Sequence, residues 1–429
     1  MQHADLESSH LVDKSFIRNV GYLWMVQVAN YLPPLLVLPY LSRTLGAESF
    51  GVMNYAIGIV AYCALLTDWG FNLSASREVA RNLHDLPKIN QIFWNTLAAK
   101  AVLAFLSLLV LSFAIAILPS LEEIAAPLYA AWFVVVGNVI TPNWFFQGLE
   151  QMGKYAISSI AGKIIFLPLV FFFVNDSDDV AIAIWLQTCG AIFSGLISIR
   201  IIWAQKLVKR PSTSIKEIII ELSRGSRIFL STAAINIYTT SNVVILGAMT
   251  DLRLVGLFVG ADKIRYAISG LATPLSSALY PRLSRLMLSR KSQGIRLAVL
   301  GLMVQIALFL PVSLFLYFFS QEIIVLILGD EFAEAAGLLC ILAWVPPITS
   351  ASNTFGIQIL LPLGANAIFS RIVTCSAVIN LALVAPMVHF YEAEGVAWTI
   401  LFTETFTAFV MGIFAYKIAL YVPAEVKSE

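Results

Sequence analysis

Apolar residues in this chain come in long runs separated by short polar connections. The run Leu103–Leu118 shows no period-two alternation. It therefore reads as helix, because a barrel strand would need alternating segments of about ten residues. Runs of about 20 residues match a hydrocarbon core about 30 Å thick. The pattern predicts twelve spans, at 16–41, 48–70, 92–118, 127–147, 155–174, 180–203, 228–249, 255–280, 297–319, 337–361, 368–390 and 396–418. The connections are short, and the longest internal one covers 204–227. Within it, SIKEIIIELSR places Ile215, Ile218, Ile219 and Leu222 at i, i+3, i+4 and i+7, which predicts an amphipathic helix. Such a helix suits the membrane surface between two halves, and the basic run Lys206–Arg210 before it suits anionic headgroups. A plain basic linker fits the same residues.

Composition agrees. Of 429 residues, 59% are hydrophobic and 12% charged, whereas a soluble chain carries about a quarter charged residues. The fold class expected is an all-α polytopic membrane protein, with an N-terminal six-helix lobe (1–203), a linker (204–227) and a C-terminal six-helix lobe (228–429). ESFGVMNYA (48–56) and RLVGLFVGA (253–261) share an apolar-Gly-apolar pattern and an Ala five residues after the Gly. They open spans two and eight, as a parallel repeat of six spans would require. The polar, acidic stretch before Ser15 does not have the form of a signal peptide, so the first span is expected to remain in the mature chain.

Charge placement orients the spans. One set of connections holds nearly all the Lys and Arg, including Arg77, Arg81, Lys154, Lys206, Arg224, Arg282 and Arg296. The other holds Arg43 and Arg253 and is otherwise acidic, with Asp176, Asp178, Asp179, Asp330 and Glu331. By the positive-inside rule both termini are expected in the cytoplasm. The net charge of +1 gives no reason to expect a nucleic-acid partner. Cys63, Cys189, Cys340 and Cys375 lie singly in predicted spans and the four histidines do not cluster, so disulfide and metal readings lack support. No G-x-x-x-x-G-K-[ST] phosphate loop occurs, and no cofactor is expected.

Interrupted spans and buried charge carry the candidate chemistry. Prolines fall inside the first span (Pro33, Pro34, Pro39), the eighth (Pro274) and the tenth (Pro346, Pro347). Broken helices persist at membrane depth where protein or a polar cavity satisfies the freed backbone groups. Four cations lie within spans: Lys100, Lys163, Lys263 and Arg265. Lys100 and Lys163 sit about 12 Å from the basic end at 1.5 Å per residue, within partial snorkelling reach or lining a cationic cavity. Asp262 and Arg265 are spaced to pair, which leaves Lys263 without a partner on its own helix. Glu404 is an acid in the last span, open either to protonation or to bonding with Thr403, Thr405 or Thr407. Asp68 and Arg77 lie where span two meets its loop. Topology accounts for Arg77, whereas Asp68, two turns deeper, suits a cap, a bend or a pair with a cation.

Four stretches carry a family resemblance: LPYLSRTLGAESFG (38–51), DWGFNLSASREVARN (68–82), PNWFFQGLEQMGKY (142–155) and ATPLSSALYPRLSR (272–285). A fifth, weaker one is LPLGANAIF (361–369). Together they resemble the bacterial polysaccharide repeat-unit flippases of the multidrug/oligosaccharidyl-lipid/polysaccharide exporter superfamily. The resemblance implies twelve helices in two six-helix lobes around a central cavity. It implies a transporter, not an enzyme, that moves undecaprenyl-diphosphate-linked oligosaccharide to the periplasmic leaflet of the bacterial inner membrane. It also implies a polysaccharide polymerase and a chain-length regulator as partners. Arg77, Lys154, Arg282 and, less closely, Arg265 fall on basic positions of its motifs. The alternatives are a drug/cation antiporter of the same superfamily, a lipid-linked peptidoglycan-precursor flippase, and a membrane polymerase or ligase. The antiporter would favour acids in its cavity, the precursor flippase more spans, and the polymerase a large outer loop.

Overall fold

The computed structural model describes residues 14–211 and 213–421. The polar stretch before Lys14 and the basic Lys427 lie outside the described residues. Secondary structure among the described residues is helical throughout. In chain order the main helices are α1 (Lys14–Asp68), α2 (Phe71–Arg81), α3 (Leu86–Ile117), α4 (Ala125–Ile140), α5 (Asn143–Gly148), α6 (Met152–Phe173) and α7 (Val180–Ala204). They continue as α8 (Ile215–Met249), α9 (Leu252–Gly270), α10 (Thr273–Ser289), α11 (Lys291–Phe318), α12 (Ala335–Leu342), α13 (Val345–Asn353) and α14 (Asn366–Tyr421). A π-helical turn, Thr354–Leu360, follows α13.

Among the described residues, 8 helical segments are long and apolar enough to cross a membrane. Two of them, of 48 and 54 residues, greatly exceed one crossing. Each contains a non-helical residue: Gly46 (φ 73°) in α1 and Glu392 (φ 49°) in α14. Gly46 adopts backbone angles essentially reserved for glycine, whereas Glu392 bears a cost of about 1–3 kcal/mol for its positive φ. With those breaks counted, the helices accommodate the twelve predicted spans, and the chain is an all-α polytopic membrane protein.

The prolines act differently from one another. Pro274 opens α10 after a turn at 271–272, and Pro346 and Pro347 open α13, so spans eight and ten are broken as predicted. A first helical turn tolerates proline because its missing N–H would be unbonded there anyway. The first span is not broken at its prolines: helix runs through 33–39, and the break at Gly46 falls in the predicted connection between spans one and two.

Among the described residues two compact units form, one from Val37–Gly256 and the other from 257–421 together with 14–36. The first has an aromatic core at one end of its helices, built from Phe71, Phe93, Trp144, Phe145 and Phe146. Elsewhere it packs through small residues. A Cβ on Gly162 of α6 would overlap the Gly190 carbonyl of α7, and one on Gly137 of α4 would lie 2.7 Å from the Ala191 Cβ. The close approach lets Ser198 donate to Ser158 at 2.8 Å and Thr188 donate to the Ala130 carbonyl at 3.1 Å, each bond buried. Helices in lipid associate through such packing, and interhelical hydrogen bonds add only about 0.6 kcal/mol each. The second unit is centred on Leu283, Met287, Leu297, Leu360, Ile372 and Met411.

The glycines of the matched stretches touch one another. Gly51 and Gly256 meet within the first unit so closely that a Cβ on Gly51 would overlap the Leu252 carbonyl, and one on Gly256 the Ala47 carbonyl.

The predicted amphipathic helix also forms, but as the continuous start of α8. Ile218 and Leu222 pack on the aromatic core, whereas Ile215 and Ile219 remain 79% and 60% exposed. Residues 218, 222 and 225 make one stripe at i, i+4 and i+7, and its last member, Gly225, admits the backbone of Trp69 to 2.5 Å of where a Cβ would stand. On the neighbouring face Arg224 pairs with Glu221 at 3.0 Å and Glu78 of α2 at 3.9 Å, while Glu78 also meets Arg81 at 3.6 Å. Burial raises the Glu221 carboxyl above its ordinary 4.5; Arg224 opposes the shift, and Glu78 and Glu217 reinforce it.

Replacement of Gly51 by Val is expected to force the 47–68 helix and α9 apart. Overpacking of this kind costs about 1–3 kcal/mol, so monodisperse protein should fall in detergent size-exclusion profiles; an unchanged profile would show that the contact yields. A carboxyl raised in the folded state releases stability as pH rises through its folded value. Apparent melting temperature should therefore decline with pH from 4.5 up to that raised value. Glu221→Gln should flatten this decline, and an equal slope in the variant would exclude Glu221 as its source.

Candidate functional site

Each unit holds its own cluster of intramembrane charge. In the first, α1 ends at Asp68 because Trp69 (φ 39°) and Gly70 (φ 75°) both turn left-handed before α2 begins. Only glycine adopts that conformation without cost, and tryptophan holds it through its contacts. The Trp69 indole donates to the Leu222 carbonyl at 2.8 Å and stacks on Phe229 with ring centres 4.5 Å apart. This anchored break fixes where the Asp68 carboxylate points. Lys100 of α3 meets it, Nζ to Oδ1 at 3.1 Å.

The pair is asymmetric. The Lys100 side chain is 1% exposed and that of Asp68 is 44% exposed. Neither snorkelling nor an uncompensated cation describes Lys100: it is buried and paired. Asp68 also acts electrostatically on the Tyr155 hydroxyl of α6.

In the second unit α9 presents Asp262, Lys263 and Arg265. Arg265 Nε binds Asp262 Oδ1 at 2.6 Å, as the i, i+3 spacing predicts. Asp262 acts on Lys263 as well, so that lysine does have a charged neighbour on its own helix. Glu404 of α14 acts on Arg265 from across the bundle and accepts a hydrogen bond from Thr349 Oγ1 at 3.3 Å. The predicted hydroxyl partners of Glu404 are otherwise engaged. Thr403 accepts from Asn380, Thr405 donates to the Leu401 carbonyl, and Thr407 donates to the Thr403 carbonyl with its Oγ1 2.7 Å from the Ser376 hydroxyl. The hydroxyl that reaches Glu404 comes instead from α13, whose position depends on the Pro346–Pro347 start.

The remaining candidates lie apart from the two clusters. Arg77 is exposed on α2 and joins no ion pair among the described residues. Lys163 is half-buried on α6, beside the Gly162–Gly190 contact. Lys154 donates to Gln151 Oε1 at 2.9 Å. Against the four cations Lys100, Lys163, Lys263 and Arg265 stand three acids, Asp68, Asp262 and Glu404, which leaves one positive charge. Sequence reading missed Thr349 and Tyr155, because a single hydroxyl inside a span leaves no periodic or charge signal.

Comparison with known proteins gives this arrangement its context. The family model described as "Polysaccharide biosynthesis protein" matches residues 16–287. The "Putative O-antigen transporter" of Escherichia coli (strain K12) is 33% identical over 400 residues, covering 93% of this chain and 96% of that protein. The succinoglycan biosynthesis transport protein ExoT of Rhizobium meliloti (strain 1021) is 23% identical, covering 94% of this chain and 83% of its own length. Among solved structures, an inward-facing multidrug resistance MATE family transporter of the MOP superfamily superposes with a TM-score of 0.68 at 14% identity, over 92% of this chain and 94% of that one. The lipid II flippase MurJ in an inward closed conformation reaches 0.67 at 15% identity, over 92% and 87%. The structures speak for the fold, whereas the sequence matches span enough of the chain to establish that it belongs to the polysaccharide biosynthesis protein family of membrane transporters.

Proposed function

We propose that this chain is a flippase that carries undecaprenyl-diphosphate-linked oligosaccharide repeat units from the cytoplasmic to the periplasmic leaflet of the bacterial inner membrane. It works by alternating access between six-helix lobes, 1–203 and 228–429, joined by the 204–227 linker. Both termini lie in the cytoplasm on this reading, and a polysaccharide polymerase and chain-length regulator act on the delivered units. The relatives named as O-antigen and succinoglycan transporters support the substrate class.

The observation that carries the mechanism is the asymmetric Asp68–Lys100 pair. A diphosphate offers the same anionic oxygen acceptors as the Asp68 carboxylate. Arriving on the open side of the pair, it competes with Asp68 for the lysine, and Asp68 takes the lysine back when the headgroup leaves. The buried cation is thus never left without an anion, which would cost several kcal/mol. Lys163, half-buried on α6, adds positive charge that draws the headgroup in. Arg77 lies on the approach at the cytoplasmic end, and the Asp262–Lys263–Arg265–Glu404 cluster serves the opposite lobe. A membrane potential of about 100 mV, negative inside, favours outward movement of each negative charge by about 2.3 kcal/mol. The one-cation excess within the spans disfavours the drug/cation antiporter reading.

Complementation of a flippase-deficient strain against defined repeat units should restore surface polysaccharide; failure with every unit, or polymerisation by the purified protein, would overturn the flippase reading. Lys163→Ala should cut export about tenfold or more at unchanged membrane abundance. Asp68→Asn strands the buried Lys100 without its anion and should lower abundance. The double variant Asp68→Asn/Lys100→Met should recover abundance and still fail to export. Full export by that double variant would reduce the pair to a structural role.

A further inference from the structure

A separate polar site lies at the start of α3, where the basic linker after α7 crosses it. A cavity of about 250 Å³ is lined there by Leu86, Pro87, Asn90 and Gln91 of α3 and by Lys206 and Lys209 of the linker, with Leu207 between the lysines. Neither charge cluster described above contributes to it. The lining carries two ammonium groups and no carboxylate. The acid nearest in sequence, Asp85, is committed to capping α3, its Oδ1 accepting from the Lys88 N–H at 3.0 Å.

The lysines are mounted on fixed backbone. Asn90 Oδ1 accepts from the Lys209 N–H at 2.7 Å, and its Nδ2 donates to the Arg210 carbonyl at 3.3 Å. The Trp94 indole donates to the Lys209 carbonyl at 3.1 Å. Val208, between them, is 6% exposed in the aromatic core, which turns its neighbours outward. Lys206 holds a left-handed backbone (φ 56°), an arrangement that costs a non-glycine residue about 1–2 kcal/mol. Interfacial indole flanks the cavity at Trp94, while Trp203, just upstream of the linker, is 58% exposed. Fixed ammonium groups, side-chain amides and an apolar wall together match a molecule with a phosphate at one end and hydrocarbon at the other.

We propose that this cavity binds the headgroup of an anionic phospholipid from the leaflet at the basic end of the protein. The phosphate lies between Lys206 and Lys209, hydrogen-bonded by Asn90 or Gln91, and the glycerol rests on Leu86, Pro87 and Leu207. A bound lipid then ties the linker to α3 from outside, as the Asn90 and Trp94 hydrogen bonds do from within. Nothing in this assignment depends on what the protein transports.

Native mass spectrometry of the full-length protein in detergent, with phosphatidylglycerol or phosphatidylethanolamine added, tests the assignment. Wild-type protein should retain phosphatidylglycerol over phosphatidylethanolamine. Lys206→Gly/Lys209→Ala, which keeps the left-handed position comfortable while removing both charges, should retain about tenfold less of it. Lys206→Arg/Lys209→Arg should keep the preference, which separates charge from fold. Equal retention by wild type and the charge-removed variant would overturn the proposal. So would complete displacement of the lipid by inorganic phosphate, which would make the cavity a free-anion site.

Discussion

Hydrocarbon offers no hydrogen bonds and little charge stabilisation, so each polar group carried into it must bring a partner. The helices answer this for the backbone. For side chains the answer is pairing: Lys100 is buried because Asp68 reaches it, and Arg265 because Asp262 does, with Glu404 close by. Pairing of this kind adds little stability over a well-packed apolar core, while loss of one partner is expensive. Its presence in both units is the ground on which the proposed transport role rests.

The partners meet because helices are interrupted at chosen points. Asp68 is aimed by the left-handed Trp69–Gly70 step, and that step is held by the Leu222 carbonyl and the Phe229 ring. Thr349 reaches Glu404 from a helix that starts afresh at Pro346–Pro347. Around these breaks, small residues let backbones approach closely, as Gly162 does with Gly190 and Gly51 with Gly256. Rigid crossings beside broken helices allow charged side chains to be positioned precisely in a medium that penalises misplacement.

The linker after α7 follows the same logic outside the hydrocarbon. Its basic run is not a loose tether. Asn90 and Trp94 fasten it to α3, and the helix beyond it enters α8 without a break, with Ile218 and Leu222 buried and Ile215 and Ile219 left outside. Periodicity identified that helix. It could not separate the two isoleucine faces, because both are equally apolar and only the position of the aromatic core distinguishes them.

Much of this was legible in the chain itself. Hydropathy runs imply the spans, and spacing alone pairs Asp262 with Arg265. Two short matched stretches single out the glycines that prove to touch, and five motifs point to the family. Each of these signals is local, since it depends on residues within a few turns of one another. Tertiary structure decided the rest. Lys100 finds Asp68 32 residues away, Glu404 takes its hydroxyl from Thr349 rather than from its own helix, and the first span runs unbroken through its prolines. A side chain's partner across helices depends on which faces pack together and on where each helix stops. Those are properties of the assembled bundle, and no single stretch of sequence contains them.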